Sequence, residues 1–233
     1  MSSTNLSLLL ASTLSLIISL KRPNPPPDAS ERVKVPHSDT TFVLGGVLIL
    51  PILASVACIA AAAVVLALTF PSSISSQILH YLLPTGNISD FALSHYLIAS
   101  TVFTIVAGFG RIWCYRTLGR HFTYELSLQK GHRLVTDGPY AFVRHPSYTA
   151  VISAVVGLTF VHLSPGSFAR SCGWLDTVFG RTLLGVWVIQ TILSSVALFA
   201  RTKREDVMLK EHFGEEWENY ARRVRYRVVP GVY

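Results

Sequence analysis

The stretch that decides the fold runs from Phe42 to Phe70 and reads FVLGGVLILPILASVACIAAAAVVLALTF. It holds 29 residues without a charged side chain. A helix needs only about 20 apolar residues to cross the roughly 30 Å hydrocarbon core of a bilayer. Glycine and proline occur within the stretch, and membrane helices tolerate both. This stretch therefore predicts a membrane-spanning helix.

Four further apolar runs predict an all-α, polytopic membrane protein with about five transmembrane helices. They lie at about 6–20, 91–115, 148–164 and 183–200. The first is short, and a cleaved signal peptide is the alternative, but in such a peptide positive charge precedes the apolar stretch. Here Lys21 and Arg22 follow it, which favours a retained span. Only 14% of residues are charged, against about 25% in soluble domains.

The basic residues predict how these spans are oriented. Five spans would place segments 21–41, 116–146 and 201–233 on one side, and 18 of the 20 Lys and Arg lie in or beside them. Because basic loops stay in the cytosol, this side is expected to be cytosolic. Orientation also accounts for the net charge of +7, so no nucleic-acid partner is expected. The proline-rich segment 21–41 is interpreted as a linker.

Most of the polar side chains suited to chemistry fall in a region from 116 to 233. It comprises a cytosolic loop, the helix hairpin 148–164/183–200 and a cytosolic tail 201–233 with a C-terminal helix. The hairpin should bring loop and tail together at the membrane surface. The three cysteines lie far apart and form no CxxC pair, so no metal site is expected.

Two motifs in this region have both a structural and a functional interpretation. The loop ends in Arg144-His145-Pro146-Ser147-Tyr148, in which Pro146 suits the first turn of a helix. These residues could simply anchor that helix among lipid headgroups. In the tail, Arg201 and Glu205 are four residues apart and share one helical face. They could form an exposed ion pair, or both could face a pocket and meet different parts of a ligand.

The ordered combination of motifs between Leu118 and Tyr220 resembles the isoprenylcysteine carboxyl methyltransferases, which are membrane enzymes. Its elements are Leu118-Gly119, His132-x-Leu134-Val135-Thr136-x-Gly138-x-Tyr140, the Arg144–Tyr148 motif, and Arg201-x-x-x-Glu205 followed by Phe213-Gly214-Glu215-Glu216. The resemblance implies an enzyme that uses S-adenosyl-L-methionine to methylate the carboxylate of prenylcysteine or of prenylated protein C-termini. It also implies a protein surrounded by membrane lipid, in the endoplasmic reticulum, with an active site facing the cytosol.

The resemblance also implies roles for individual residues. Arg201 would bind the substrate carboxylate and, with Glu205, form the catalytic pair. Cofactor-binding residues would be His132, Arg133, Leu134, Val135, Tyr140, His145, Pro146, Ser147, Tyr148 and Glu205. Among the consecutive acids Glu205 and Asp206, only Glu205 is assigned a role. Glu125 is interpreted as a solvated loop acid.

Three other functions remain open from the sequence. Phospholipid or other small-lipid methyltransferases and NADPH-dependent sterol reductases carry pieces similar to the Arg144–Tyr148 motif. A membrane scaffold without activity would use the same polar residues as anchors. Methyl esterification needs little acid–base catalysis, because a C-terminal carboxylate with a pKa of roughly 3.5 is already ionised at neutral pH. The absence of an evident general base in the motifs agrees with that reaction.

Overall fold

The computed structural model describes residues 3–33, 37–84 and 92–232, with residues 37–48 as backbone only. Phe91, where the third span was predicted to begin, and residues 34–36 of the linker lie outside these ranges. The described residues form eight α-helices and no β-strand. In chain order the helices are α1 (Ser3–Leu20), α2 (His37–Thr69), α3 (Ser73–Leu82), α4 (His95–Leu118), α5 (Pro146–Leu163), α6 (Phe168–Ser171), α7 (Val178–Phe213) and α8 (Glu215–Arg223).

Five of these helices are long and apolar enough to cross a bilayer: α1, α2 from Ile49 onward, α4, α5 and α7. The predicted all-α fold with about five spans is confirmed. Their outward faces carry large apolar side chains, such as Ile59 on α2 and Ile189 on α7, which are 70% and 58% exposed. Such side chains suit contact with lipid.

Helix α7 is much longer than the predicted span 183–200. It begins where the Thr177 side chain accepts a hydrogen bond from the Gly180 N–H at 3.0 Å. It continues past Ala200 because the Lys, Arg, Glu, Met and Leu residues that follow are good helix formers. It ends at Gly214, whose φ of +55° favours glycine. The first part of the predicted cytosolic tail is therefore a rigid extension of a membrane helix.

Small residues allow α1, α4 and α5 to pack closely. A Cβ placed on Gly157 of α5 would lie 2.5 Å from the Thr104 Oγ1 of α4. A Cβ on Gly108 of α4 would come even closer to Ser15 of α1. The apolar core extends from these helices to α2 and includes Leu16, Leu50 and Leu158.

The segment before α2 docks against the loop that follows α4. The Asn24 side-chain amide donates to the carbonyl oxygens of Gly119 at 2.8 Å and Phe122 at 2.9 Å. Further along, the Val33 N–H donates to the Leu126 carbonyl at 2.8 Å. The linker is mostly solvent-exposed, but these hydrogen bonds hold it against the loop that carries many of the predicted site residues.

The chain beyond α7 folds back over the loop from its other side. Trp217 and Tyr220 of α8 are buried against Leu134 and Leu209. The last segment then pairs with the start of α5, where the His145 N–H donates to the Arg227 carbonyl at 2.8 Å. Loop and tail are thus brought together, as the hairpin arrangement required.

Replacing Gly157 with alanine should lower the melting temperature in detergent, because the added methyl group cannot fit against Thr104 without moving α4. Overpacking of this kind costs about 1–3 kcal/mol. Gly185→Ala is the matched control, since a Cβ at Gly185 of α7 would meet nothing within 4 Å. Differential scanning fluorimetry should show a loss only for Gly157→Ala; equal losses would contradict close packing at α4.

Candidate active site

A polar cavity of about 760 Å³ lies between the loop after α4, the start of α5 and the extension of α7. Most of the side chains assigned to the site from the sequence line it. They are His132, Arg133, Leu134, Val135, Tyr140, His145, Tyr148, Arg201 and Glu205. The fold therefore assembles at one place residues that are up to 73 positions apart in the sequence.

Two predicted cofactor-binding residues, Pro146 and Ser147, lie behind the cavity rather than in its lining. Both are buried in the first turn of α5. The Ser147 hydroxyl accepts a hydrogen bond from Arg111 Nη1 at 2.8 Å. Their contacts therefore support the helix that carries Tyr148.

An apolar cavity of about 670 Å³ lies deeper in the bundle and meets the polar one. Its walls are largely side chains of α5 and α7, including Val151, Val155 and Leu198. Four residues line both cavities: Phe122, Thr123, Tyr148 and Arg201. A polar ligand and an apolar one could thus meet at this junction.

Arg201 is only 9% exposed at this junction. Its Nη2 donates to the backbone carbonyl of Tyr124, which fixes the plane of the guanidinium. Its Nε is buried and has no hydrogen-bond partner among the described residues. A planar guanidinium with a free donor can bind a carboxylate.

Glu205 lies one helical turn further along α7. One of its carboxylate oxygens, Oε2, accepts a hydrogen bond from the Tyr148 hydroxyl at 2.8 Å and lies 3.5 Å from His145 Nδ1. The rings of His145 and Tyr148 stack with their centroids 5.6 Å apart. Arg201 and Glu205 thus both face the polar cavity, and the interpretation of the pair as exposed does not describe the structure.

Asp206 is a structural residue of the site that sequence reasoning passed over. It is 4% exposed, and its two oxygens bind different partners. One accepts from His145 Nε2 at 3.0 Å, and the other accepts from Arg227 Nε at 2.7 Å. Its position directly after Glu205 was the feature of the sequence that could have indicated its role. Successive helical residues face different directions, so the two acids contact opposite edges of the His145 ring.

The carboxylates control the protonation of His145. Burial alone would lower the pKa of this imidazole, but the hydrogen bonds that it donates to Asp206 and Glu205 outweigh burial and raise the pKa above its ordinary value. Each ring nitrogen has an acid next to it, so the charged imidazolium is favoured.

His132 has the opposite environment on the other side of the cavity. Burial lowers the pKa of its imidazole to about 4, and the neighbouring His121 and His212 contribute in the same direction. His132 is therefore neutral at pH 7. Its ring lies 4.6 Å from that of His121, and Nδ1 of each is buried without a partner in the described part of the chain. His121 also lines the cavity, although no role was assigned to it from the sequence.

Arg111 is a second residue that the sequence did not single out. It lies near the end of α4 and is 4% exposed. Its guanidinium donates to the Ser19 carbonyl at 2.8 Å, to Ser147, and to the Tyr124 hydroxyl at 3.2 Å. It thereby ties α1, α5 and the loop together around the junction. A single arginine near the end of an apolar run gives no local sign of such contacts.

Tyr140 completes the wall formed by the loop. It is buried against Cys114 and Val135, and its backbone carbonyl accepts from the Tyr220 hydroxyl at 2.9 Å. Burial raises the pKa of the Tyr140 phenol well above its ordinary value, so it stays protonated. The described residues contain no group of three or more His, Cys, Asp or Glu arranged to hold a metal ion.

Comparison with known proteins shows that one segment of the chain is similar to a known family. Residues 99–169, which include most of α4, the loop and all of α5, match the isoprenylcysteine carboxyl methyltransferase (ICMT) family. The family resemblance found in the motifs is therefore confirmed for this segment. The matched residues contain the whole loop side of the polar cavity, whereas Arg201 and Glu205 lie outside them.

Curated relatives fall into two groups. The chain is 31% identical to protein-S-isoprenylcysteine O-methyltransferase B of Arabidopsis thaliana, over 46% of this chain and 46% of the relative. It is 32% identical to the Mus musculus protein-S-isoprenylcysteine O-methyltransferase, over 46% of this chain and 32% of the relative. It is also 47% identical to Delta(14)-sterol reductase ERG24B of Gibberella zeae, over 48% of this chain and 27% of the reductase. The chain thus spans less than half the length of each.

The charged state of His145 should make stability depend on pH in a defined direction. A pKa raised by folding stabilises the native state below the unfolded value of about 6.5, and this contribution is lost as pH rises through the native pKa. In detergent, His145→Gln should be less stable than the parent protein at pH 6. The difference in melting temperature should shrink as the pH rises above 6.5. A constant or growing difference would show that His145 is neutral in the native state.

Proposed function

We propose that this protein transfers the methyl group of S-adenosyl-L-methionine to the C-terminal carboxylate of S-isoprenylcysteine. The observation that carries the proposal is the junction of a polar and an apolar cavity at Arg201 and Tyr148. A prenylcysteine has an ionised carboxylate at one end and a long apolar chain at the other. It therefore needs a polar and an apolar cavity that adjoin each other. The names of the Arabidopsis and mouse relatives support the same chemistry.

The polar cavity suits the methyl donor in its chemistry. Adenosylmethionine carries hydroxyl, amino and heterocyclic groups, and the cavity presents partners in Glu205, neutral His132 and His121. The buried and unpaired Nδ1 atoms of both histidines can accept or donate a hydrogen bond. When bound, the donor supplies an electrophilic methyl group on a sulfonium. Leu134, Val135 and Tyr140 would enclose its apolar parts.

The apolar cavity suits the prenyl chain of the acceptor. Val151, Val155 and Leu198 would surround the chain, while Arg201 holds the carboxylate at the boundary with the polar cavity. The acceptor carboxylate is ionised at neutral pH and attacks without a general base. The protein then contributes alignment of the two reactants, which is worth up to roughly 7–11 kcal/mol in well-oriented systems.

We further propose that the polar cavity opens to the cytosol of an endoplasmic reticulum membrane. The loop, the extension of α7 and the tail contain most of the basic residues, which favours the cytosolic side. The methyl donor would enter from water, and prenylated protein C-termini would enter with their chains in the lipid.

Sterol reduction with NADPH is a second candidate, favoured by the 47% identity to the Gibberella reductase. A sterol would also occupy an apolar cavity next to a polar one. Methylation of a phospholipid or another small lipid is the nearer alternative, since it differs only in the acceptor.

Adenosylmethionine should raise the melting temperature of the protein in detergent, and NADPH should not, because a ligand stabilises the state to which it binds. The measurement is differential scanning fluorimetry with each compound in turn. Stabilisation by NADPH alone would support the reductase. If adenosylmethionine binds, methyl transfer to a farnesylcysteine analogue separates prenylcysteine from phospholipid methylation.

Arg201→Ala and Glu205→Ala should each reduce methyl transfer by at least about a hundredfold, in line with the loss of positioning groups. Arg201→Ala should chiefly weaken binding of the prenylated acceptor, since its guanidinium faces the junction. Glu205→Ala should chiefly weaken binding of adenosylhomocysteine, measured by isothermal titration calorimetry.

Two exposed residues of the same helix provide matched controls. Lys203→Ala and Glu211→Ala remove the same charges from α7 outside the polar cavity, and both should keep near-normal activity. Folded Arg201→Ala and Glu205→Ala proteins with activity close to these controls would refute the assignment. Equal weakening of both ligands by both variants would refute the division of roles.

A further inference from the structure

Glu125 has an arrangement that a solvated loop acid does not need. It lies in the loop after α4 and lines the polar cavity. Its Oε1 accepts a hydrogen bond from Arg22 Nη1 of the linker at 2.9 Å, and the Glu125 side chain is 28% exposed. Its Oε2 is buried and has no hydrogen-bond partner among the residues that the structure describes. One oxygen is therefore paired with the linker, while the other has no partner among the described residues, in a side chain that lines the cavity.

A buried carboxylate oxygen without a donor is costly, because it has lost its hydration without gaining a hydrogen bond. A ligand that brings a positive charge or a hydrogen-bond donor removes this cost. Arg201 lies within electrostatic range of Glu125 but directs its Nη2 to the Tyr124 carbonyl. It therefore offsets the charge of Glu125 without satisfying Oε2.

We infer that Glu125 binds the cationic part of the methyl donor in the polar cavity, opposite Glu205. The inference rests on the proposed function and assigns a further binding residue to the same site. Two acids on different segments, one on the loop and one on α7, would then face a ligand with a sulfonium and an ammonium group. Uncharged nucleosides would gain nothing from the Glu125 carboxylate.

The test compares ligands that differ in charge but share the adenosine part. Binding of adenosylmethionine and of the uncharged thioether 5′-methylthioadenosine is measured by isothermal titration calorimetry on the full chain in detergent. Glu125→Gln should weaken adenosylmethionine about tenfold, as expected for the loss of one charge-assisted contact. The affinity for methylthioadenosine should change less than about twofold.

Two further variants separate charge from shape and from general electrostatics. Glu125→Asp keeps the charge and should bind adenosylmethionine within about threefold of the parent protein. Glu31→Gln removes an acid of the linker whose Oε1 accepts from the Lys130 N–H at 3.1 Å and which does not line the cavity. It should leave the affinities for both ligands unchanged.

The outcomes distinguish failure of the role of Glu125 from failure of the proposed methyltransferase function. Equal loss of both ligands in Glu125→Gln, no loss of adenosylmethionine, or a loss in Glu125→Asp as large as that in Glu125→Gln would overturn the role of Glu125. A parent protein that binds neither ligand would instead overturn the proposed methyltransferase function. Methylthioadenosine binding by Glu125→Gln also shows that the variant has folded.

Discussion

The charged ring of His145, held between Asp206 and Glu205, joins the two halves of the site. It connects the start of α5 to the extension of α7, and these two elements carry Tyr148 and Arg201. Asp206 also binds Arg227, so the tail is fixed by the same group. A buried charge needs such partners, because an unpaired ion in the interior is very unfavourable. The geometry of both cavities therefore depends on a small ionic cluster at the membrane surface.

The membrane architecture could be predicted from the sequence because the hydrocarbon thickness imposes a length on each apolar run. Phe42 to Phe70 and the other four runs carry this signal directly. The end of α7 could not be predicted in the same way, because hydropathy reports where the bilayer ends and not where the helix does. The good helix formers after Ala200 extend α7 to Phe213, beyond the predicted end of the span.

Part of the candidate site could be predicted from the sequence, because its residues lie in motifs that follow one another in a fixed order. The structure places His132, Tyr140, His145, Tyr148, Arg201 and Glu205 in the lining of one cavity. The contacts of Arg111, Tyr124 and Glu125 could not be predicted from the sequence. Each depends on a partner about 36 to 104 positions away, such as Ser19 or Ser147 for Arg111, and no local periodicity records such pairs. The docking of Asn24 on the loop is of the same kind.

Because α7 is one continuous rod, Leu198 in the apolar cavity and Glu205 in the polar cavity keep a fixed separation. Seven residues at about 1.5 Å each place them about 10 Å apart along the helix axis. Arg201 lies between them on the same rod. If the proposed prenylated acceptor binds here, a longer or shorter prenyl chain would change how much of the apolar cavity is filled while leaving the carboxylate at the same position along the helix. In that proposal the helix sets the distance between the two cavities, and the length of the prenyl chain does not alter the position of the reacting carboxylate.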